Sequence, residues 1–191
     1  MSHHRLPGFT IAELLIAVMI LGEIATFTIP KILSAQQKNH FKASSKEAMA
    51  MVAGAFQAAK LTGAITGTGR LGDLTPYMNY VSVDTNSQLD DVPGYGSLTC
   101  NGTNKCYRLH SGGLLYDRCG LGGTGTTSAM LFHFDPDGKY SGSTTTPGKS
   151  ILVQLFYNGR LYTREYEENT IATGCGDWVP NYNEAPDWFT W

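Results

Sequence analysis

The sequence predicts an α+β protein in which a long N-terminal helix, half transmembrane and half amphipathic, packs on an antiparallel β-sheet head. Three observations carry that expectation. Residues 9–29 form a predominantly apolar run of 21 residues. Residues 41–59 repeat small and apolar side chains at alternating spacings of three and four. Nearly all of the 22 glycines lie beyond residue 60, among short apolar segments separated by turn signals. The 191-residue length leaves room for one domain and one additional element. With 42% hydrophobic and 16% charged residues the chain can bury a core. A net charge of −2 argues against the clustered Lys and Arg of a nucleic-acid-binding surface.

The first element reads FTIAELLIAVMILGEIATFTI, apolar all round except for Glu13, Glu23 and some threonine. At 1.5 Å per residue it spans roughly 30 Å, the thickness of a bilayer's hydrocarbon layer. A cleavable secretory signal has a shorter apolar stretch followed by a small-x-small site, which this run lacks. Glu13 is costly at that depth, by roughly 2.5–3.5 kcal/mol on insertion scales, and implies a partner. The polar preface MSHHRLPG ends in Gly8, immediately before Phe9. A cut there would create an α-amino group at Phe9. That amine could pair with a carboxylate four residues on, most usefully between neighbouring chains stacked with an axial offset.

The string Gly8-Phe9-Thr10-Ile11-Ala12-Glu13-Leu14-Leu15 resembles the prepilin leader-peptidase motif of type IV pilins and type II secretion pseudopilins. The resemblance implies a type IV pilin-like fold, cleavage between Gly8 and Phe9, N-methylation of Phe9, and a docking role for Glu13. Gly22 and Pro30 match the family's helix-softening glycine and proline, since proline removes one helical hydrogen bond and glycine weakens the helix locally. The motif covers about 25 residues, and beyond Pro30 the resemblance is one of layout. Two features depart from it. Glu23 is a second acid within the apolar run. Arg5 stands alone before the span while Lys31, Lys38, Lys42 and Lys46 follow it, so positive-inside counting favours the reverse orientation. The motif takes precedence, because the peptidase requires the leader in the cytoplasm. The expected division is a leader peptide at 1–8, an N-terminal helix at 9–62 with the transmembrane and assembly segment at 9–29, and a β-rich head at 63–191.

After Pro30, Phe41, Ser45, Ala48, Val52, Ala55 and Ala59, with Phe56 beside them, mark one helix face, while Lys38, Lys42, Lys46 and Lys60 lie on others. Thr62-Gly63 ends the helix. A helix from Phe9 to Leu61 would be about 80 Å long. Beyond it, Ile151–Tyr157 and Arg160–Tyr166 flank Asn158-Gly159, a hairpin signal suited to a type I′ turn. Ala129–Phe134 is closed by the turn Asp135-Pro136-Asp137-Gly138. Tyr107–Leu109 and Leu114–Tyr116 are shorter strands around Ser111-Gly112-Gly113. The expected sheet has about four strands, with the amphipathic half of the helix on one face.

Four cysteines, Cys100, Cys106, Cys119 and Cys175, suggest two disulfides in an exported segment. Three pairings are possible, and sequence does not choose among them. The working expectation is Cys100–Cys106 across a short loop and Cys119–Cys175 tying down the tail. No C-x-x-C spacing points to zinc.

Other patterns are weaker. Gly67-Thr-Gly69-Arg-Leu-Gly72 and Gly120-Leu-Gly122-Gly-Thr-Gly125 both match G-x-G-x-x-G, but neither links a strand to a helix as a dinucleotide site requires. Asp135 and Asp137 resemble the start of a calcium loop without its closing glutamate, so they are weak metal candidates and a turn is preferred. His110, His133 and Asp117 lack the motifs of a hydrolytic site. Asn101-Gly-Thr103 matters only where secretory glycosylation reads it. Trp178, Trp188 and Trp191, with Tyr182 and Phe189, make an aromatic tail that either completes the core or contacts a neighbour.

The expected function is that of a structural filament subunit, with no catalysis and no cofactor. The precursor would cross the inner membrane once, N-terminus in the cytoplasm, and end in a periplasmic or cell-surface filament. Partners implied by the resemblance are the prepilin peptidase/methyltransferase, other pilin subunits, and the inner-membrane platform and motor. A pseudopilin of a type II secretion system, and a membrane-anchored ligand-binding protein that does not polymerise, are the alternatives.

Overall fold

The computed structural model describes residues 10–92, 96–124, 129–139 and 150–164. It divides into two compact units, Met1–His40 and Phe41–Trp191. The fold is α+β, with a long apolar N-terminal helix and antiparallel sheets.

Helix α1 (Ile11–Leu61) carries Pro30 within it. In the first unit every large apolar side chain from Ile11 to Leu33 is more than half exposed. Such a helix, hydrophobic all round, requires lipid or neighbouring protein to cover it. It is long and apolar enough to cross a membrane.

In the second unit the same helix is amphipathic. Ser44, Ser45, Ala48, Met49, Val52, Ala55, Phe56 and Ala59 are buried. Small residues along this face allow close approach to the sheet, and Phe56 and Met49 supply the bulk. Phe41, expected on the face, is only half-buried, and Ser44 and Met49 join it instead. The helix ends in a Schellman motif, in which Ala64 N–H donates to Ala59 O (2.9 Å) and Gly63 N–H to Lys60 O (3.1 Å).

Among the described residues ten strands follow: β1 (Thr68–Gly69), β2 (Ser82–Asp84), β3 (Gln88–Val92), β4 (Gly96–Thr99), β5 (Cys106–Arg108), β6 (Leu114–Cys119), β7 (Leu121–Gly122), β8 (Ala129–Asp135), β9 (Ile151–Phe156) and β10 (Leu161–Arg164). A 3-10 helix, Leu71–Tyr77, lies between β1 and β2. Six strands form the main sheet in the order β10-β9-β8-β6-β5-β2, each pair antiparallel. The expectation of about four strands therefore falls short. The strand least visible in sequence is β2, a three-residue edge whose Ser82 and Val83 are exposed and which carries no apolar alternation. It is fixed by register with β5 and by Arg108, whose guanidinium meets the Asp84 carboxylate at 3.1 Å.

Both faces of the sheet centre are buried. On one face Met130, Phe132, Phe134, Ile151, Val153 and Leu155 pack with the buried side chains of the helix. On the other, Leu114 and Tyr116 meet Leu89 and Leu98 of the β3–β4 ribbon. On that same side of β8 and β9, Leu131, Leu152 and Phe156 are buried with Cys119 and Ala129, so both strands read as continuous apolar runs rather than alternating ones.

The β5–β6 and β9–β10 hairpin turns are built alike, and neither is type I′. In Phe156–Arg160, Gly159 N–H donates to Phe156 O (2.8 Å) and Phe156 N–H to Arg160 O (3.0 Å). In Leu109–Gly113, Gly112 N–H donates to Leu109 O (3.0 Å) and Leu109 N–H to Gly113 O (2.8 Å). Each is a three-residue loop with a single left-handed glycine, Gly159 (φ 84°) or Gly112 (φ 91°). A type I′ turn would place Asn158 at positive φ as well, which it does not adopt. Asn158 instead accepts the Arg160 N–H on its Oδ1 (2.9 Å).

Candidate functional site

Of the residues singled out for processing and assembly, Glu13 lies in the first turn of α1, and Gly22 and Pro30 lie further along it. Gly8 and Phe9 lie outside the described residues. Thr10 and Glu13 form a capping box. Glu13 N–H donates to Thr10 Oγ1 (3.3 Å), and the Glu13 Oε2 accepts from Thr10 N–H (2.9 Å) and Thr10 Oγ1 (3.0 Å). The carboxylate is therefore partnered within its own first turn, where negative charge also complements the helix dipole. The Thr-x-x-Glu spacing carries the signature of this motif, which the docking role expected of Glu13 passed over.

Further along, Pro30 has no N–H to offer the Thr26 carbonyl. Two threonines just before it turn their hydroxyls back onto the helix: Thr26 Oγ1 donates to Gly22 O (2.7 Å) and Thr28 Oγ1 to Ile24 O (2.9 Å). These two hydroxyls in an apolar stretch are thus satisfied internally. A Cβ added at Gly22 would meet nothing within 4 Å, so that glycine is not required by packing within the chain.

The two glycine-rich motifs pair with each other. Strands β1 and β7 form a ribbon with Thr68 opposite Gly122 and Gly69 opposite Leu121. A Cβ at Gly120 would lie 2.9 Å from the Gly69 carbonyl oxygen, which gives this glycine a packing role. Beside the ribbon, Arg70 reaches Asp117 on β6 (3.4 Å) and the Arg118 carbonyl (3.2 Å). Burial raises the Asp117 pKa despite Arg70 and the Gly72 N–H, which act in the opposite direction. Burial, reinforced by the Asp117 charge, pushes the neighbouring Tyr107 up to about 12. Nothing in the sequence spacing announces this group, because Arg70 and Asp117 meet only through the ribbon.

The remaining candidates do not converge. His110 sits exposed in a turn against Asn79 Oδ1 (3.1 Å). Asp117 belongs to the helix-facing side with Tyr107, whereas His133 is fully buried on the opposite side, edge-on to Tyr116 (5.9 Å). Asp135 Oδ1 accepts from the Asp137 and Gly138 N–H groups (3.2 and 3.0 Å), an Asx turn. Among the described residues no group of three His, Cys, Asp or Glu side chains is placed to hold a metal. Cys100 and Cys106 are disulfide-bonded, the first of the two expected pairs. Cys119 is buried on β6. Cys175, and the tail with Trp178, Trp188 and Trp191, lie outside the described residues. No family model matches the chain, and no curated protein or solved structure matches it significantly.

Proposed function

We propose that this chain is a type IV pilin-like filament subunit, made as a membrane-spanning precursor, cleaved after Gly8, methylated on Phe9 and assembled through α1. The observation that carries this reading is the wholly exposed apolar surface from Ile11 to Leu33 on a helix whose later residues are packed into the head core. That surface needs two successive environments in the proposed life of the protein, lipid in the precursor and neighbouring helices in the filament. Glu13 sets the register by meeting the new amine at Phe9 of an adjacent subunit. The peptidase/methyltransferase, the platform and the motor are separate partners, and the chain itself is structural rather than catalytic.

The capping box favours a second reading, a single-pass anchor that does not polymerise, because it gives the Glu13 carboxylate a partner without any neighbour. Two substitutions separate them. Glutamine at an N3 position preserves the capping box, whereas alanine does not. Filament assembly that fails in both Glu13→Gln and Glu13→Ala supports a charge-dependent docking role. Normal function in Glu13→Gln supports the cap alone. The intact mass of the protein, isolated from cells with a matching peptidase, tests the pathway itself. A chain starting at methylated Phe9 is expected, and one retaining Met1–Gly8 would sink the proposal.

A further inference from the structure

The helix changes character just past its apolar surface. Residues 31–46 hold Lys31, Lys38, Lys42 and Lys46 and no acidic residue. Lys31 and Lys38 are exposed and seven residues apart, which brings them to the same side of the helix after two turns. Lys42 and Lys46 continue the series by fours in the sequence. The axial positions matter. With Ile11 at one boundary of the hydrocarbon, Lys31 reaches the other after about 30 Å. Lys38 stands about 10 Å further on, and the interfacial layer of one leaflet is about 5–7 Å deep. Helical side chains slope toward the N-terminus, here the bilayer side, so the Lys38 ammonium comes back toward that layer. Lys31 lies at its floor, with an aliphatic stem suited to the boundary.

We infer that Lys31 and Lys38 form a collar that binds the anionic phospholipid headgroups of the leaflet facing the β head. The inference rests on the reading of the helix from Ile11 to Pro30 as a membrane span and adds a ligand to it. Charge complementarity selects anionic over zwitterionic lipid, by about fivefold for each lysine near the surface. The collar also accounts for lysines on the side that topology rules leave poor in positive charge: their use is to seat the precursor at a fixed depth until it is withdrawn.

The test uses the full chain reconstituted into vesicles of phosphatidylcholine with 30% phosphatidylglycerol, carrying a spin-labelled trace of either lipid. The motionally restricted fraction should favour phosphatidylglycerol by fivefold or more. It should fall to parity in Lys31→Gln/Lys38→Gln, persist in Lys31→Arg/Lys38→Arg, and shrink at high salt. Equal association of both lipids with the unsubstituted chain overturns the collar. So does a preference that survives the glutamine pair, or one that inorganic phosphate abolishes at constant ionic strength, which would assign the lysines to a soluble anion. A glutamine pair that stops filament assembly, in a chain showing no lipid preference, would assign them to a protein neighbour instead. Release of the chain by alkaline carbonate would overturn the span and the collar together, whereas an embedded chain without preference overturns the collar alone.

Discussion

Lys60 Nζ donates a 2.8 Å hydrogen bond to the Tyr157 carbonyl and lies 4.1 Å from the centre of the Tyr157 ring. One ammonium thus ties the last turn of the helix to the β9–β10 turn, where Phe56 also meets Tyr157 edge-on at 6.5 Å. At the other end of this contact Ser44 Oγ donates to Ser111 Oγ (3.0 Å) in the β5–β6 turn. The two like-built turns therefore hold the buried stretch of the helix at both ends. Lys60→Met keeps the aliphatic stem and removes the charge. It should cost about 1–2 kcal/mol, from a charge-assisted hydrogen bond and a half-exposed cation–π contact. Urea unfolding of the detergent-solubilised chain, followed by tyrosine fluorescence, would show it as a lower midpoint at unchanged slope.

Gly120→Ala should destabilise by about 1–3 kcal/mol, because the new methyl meets the Gly69 carbonyl at 2.9 Å in backbone that has little room to move. Gly123→Ala, in the same glycine-rich stretch, meets nothing within 4 Å and should be close to neutral. A nucleotide-binding role would instead make both sensitive to added ATP or NAD. Thermal melts with and without those ligands distinguish the two accounts.

Acid should weaken the head through His133. Burial, aided by the positive charge of Arg118, pushes its pKa down to about 3, against an ordinary 6.5. The folded state keeps the ring neutral while the unfolded chain takes up a proton, so stability present above pH 6.5 is lost progressively as pH falls toward 3. Asp84, held well below the usual carboxylate range by the Ser87 hydroxyl, adds a loss in the same direction at lower pH. Asp117, with its raised pKa, acts in the opposite sense. Between pH 6.5 and 5 the slope belongs chiefly to His133. His133→Leu should flatten it in unfolding curves taken across that window.

Replacing Cys100 and Cys106 together by alanine should cost about 2 kcal/mol from loop closure alone, since only a short loop is crosslinked. The pair is buried with Leu89, Leu98, Leu114 and Tyr116, so lost packing adds to that figure. Urea unfolding of the double variant against the oxidised parent measures the sum of the two contributions.

Much of this architecture was legible in sequence where a local rule sufficed. The apolar run from Phe9, the turn at Asp135–Gly138 and the strands at 129–134 and 151–156 each depend on periodicity or on one turn residue. Strand β2 was not legible, because Ser82–Asp84 is short, polar and defined only by its partner. Asn158-Gly159 was read as a two-residue turn because the pair suits one. The choice of a three-residue loop follows from Leu155 pairing with Leu161, a register that the core imposes. Lys60 was assigned to an outward face, although its long stem reaches round to Tyr157. At the candidate site, Glu13 was read only as a docking carboxylate and its capping box with Thr10 was missed, while the Arg70–Asp117 pair depends on two distant segments meeting.

The β1–β7 ribbon joins segments about fifty residues apart in the chain. Closing so long a loop is entropically costly, and two residues per strand return little for it. The hairpins β5–β6 and β9–β10 close over three residues and can form within microseconds. The ribbon therefore belongs to the last stage of folding, and the Arg70–Asp117 contact forms with it. As the head folds, the segment from Gly67 to Tyr77 would be the last to gain protection from hydrogen exchange and from proteases.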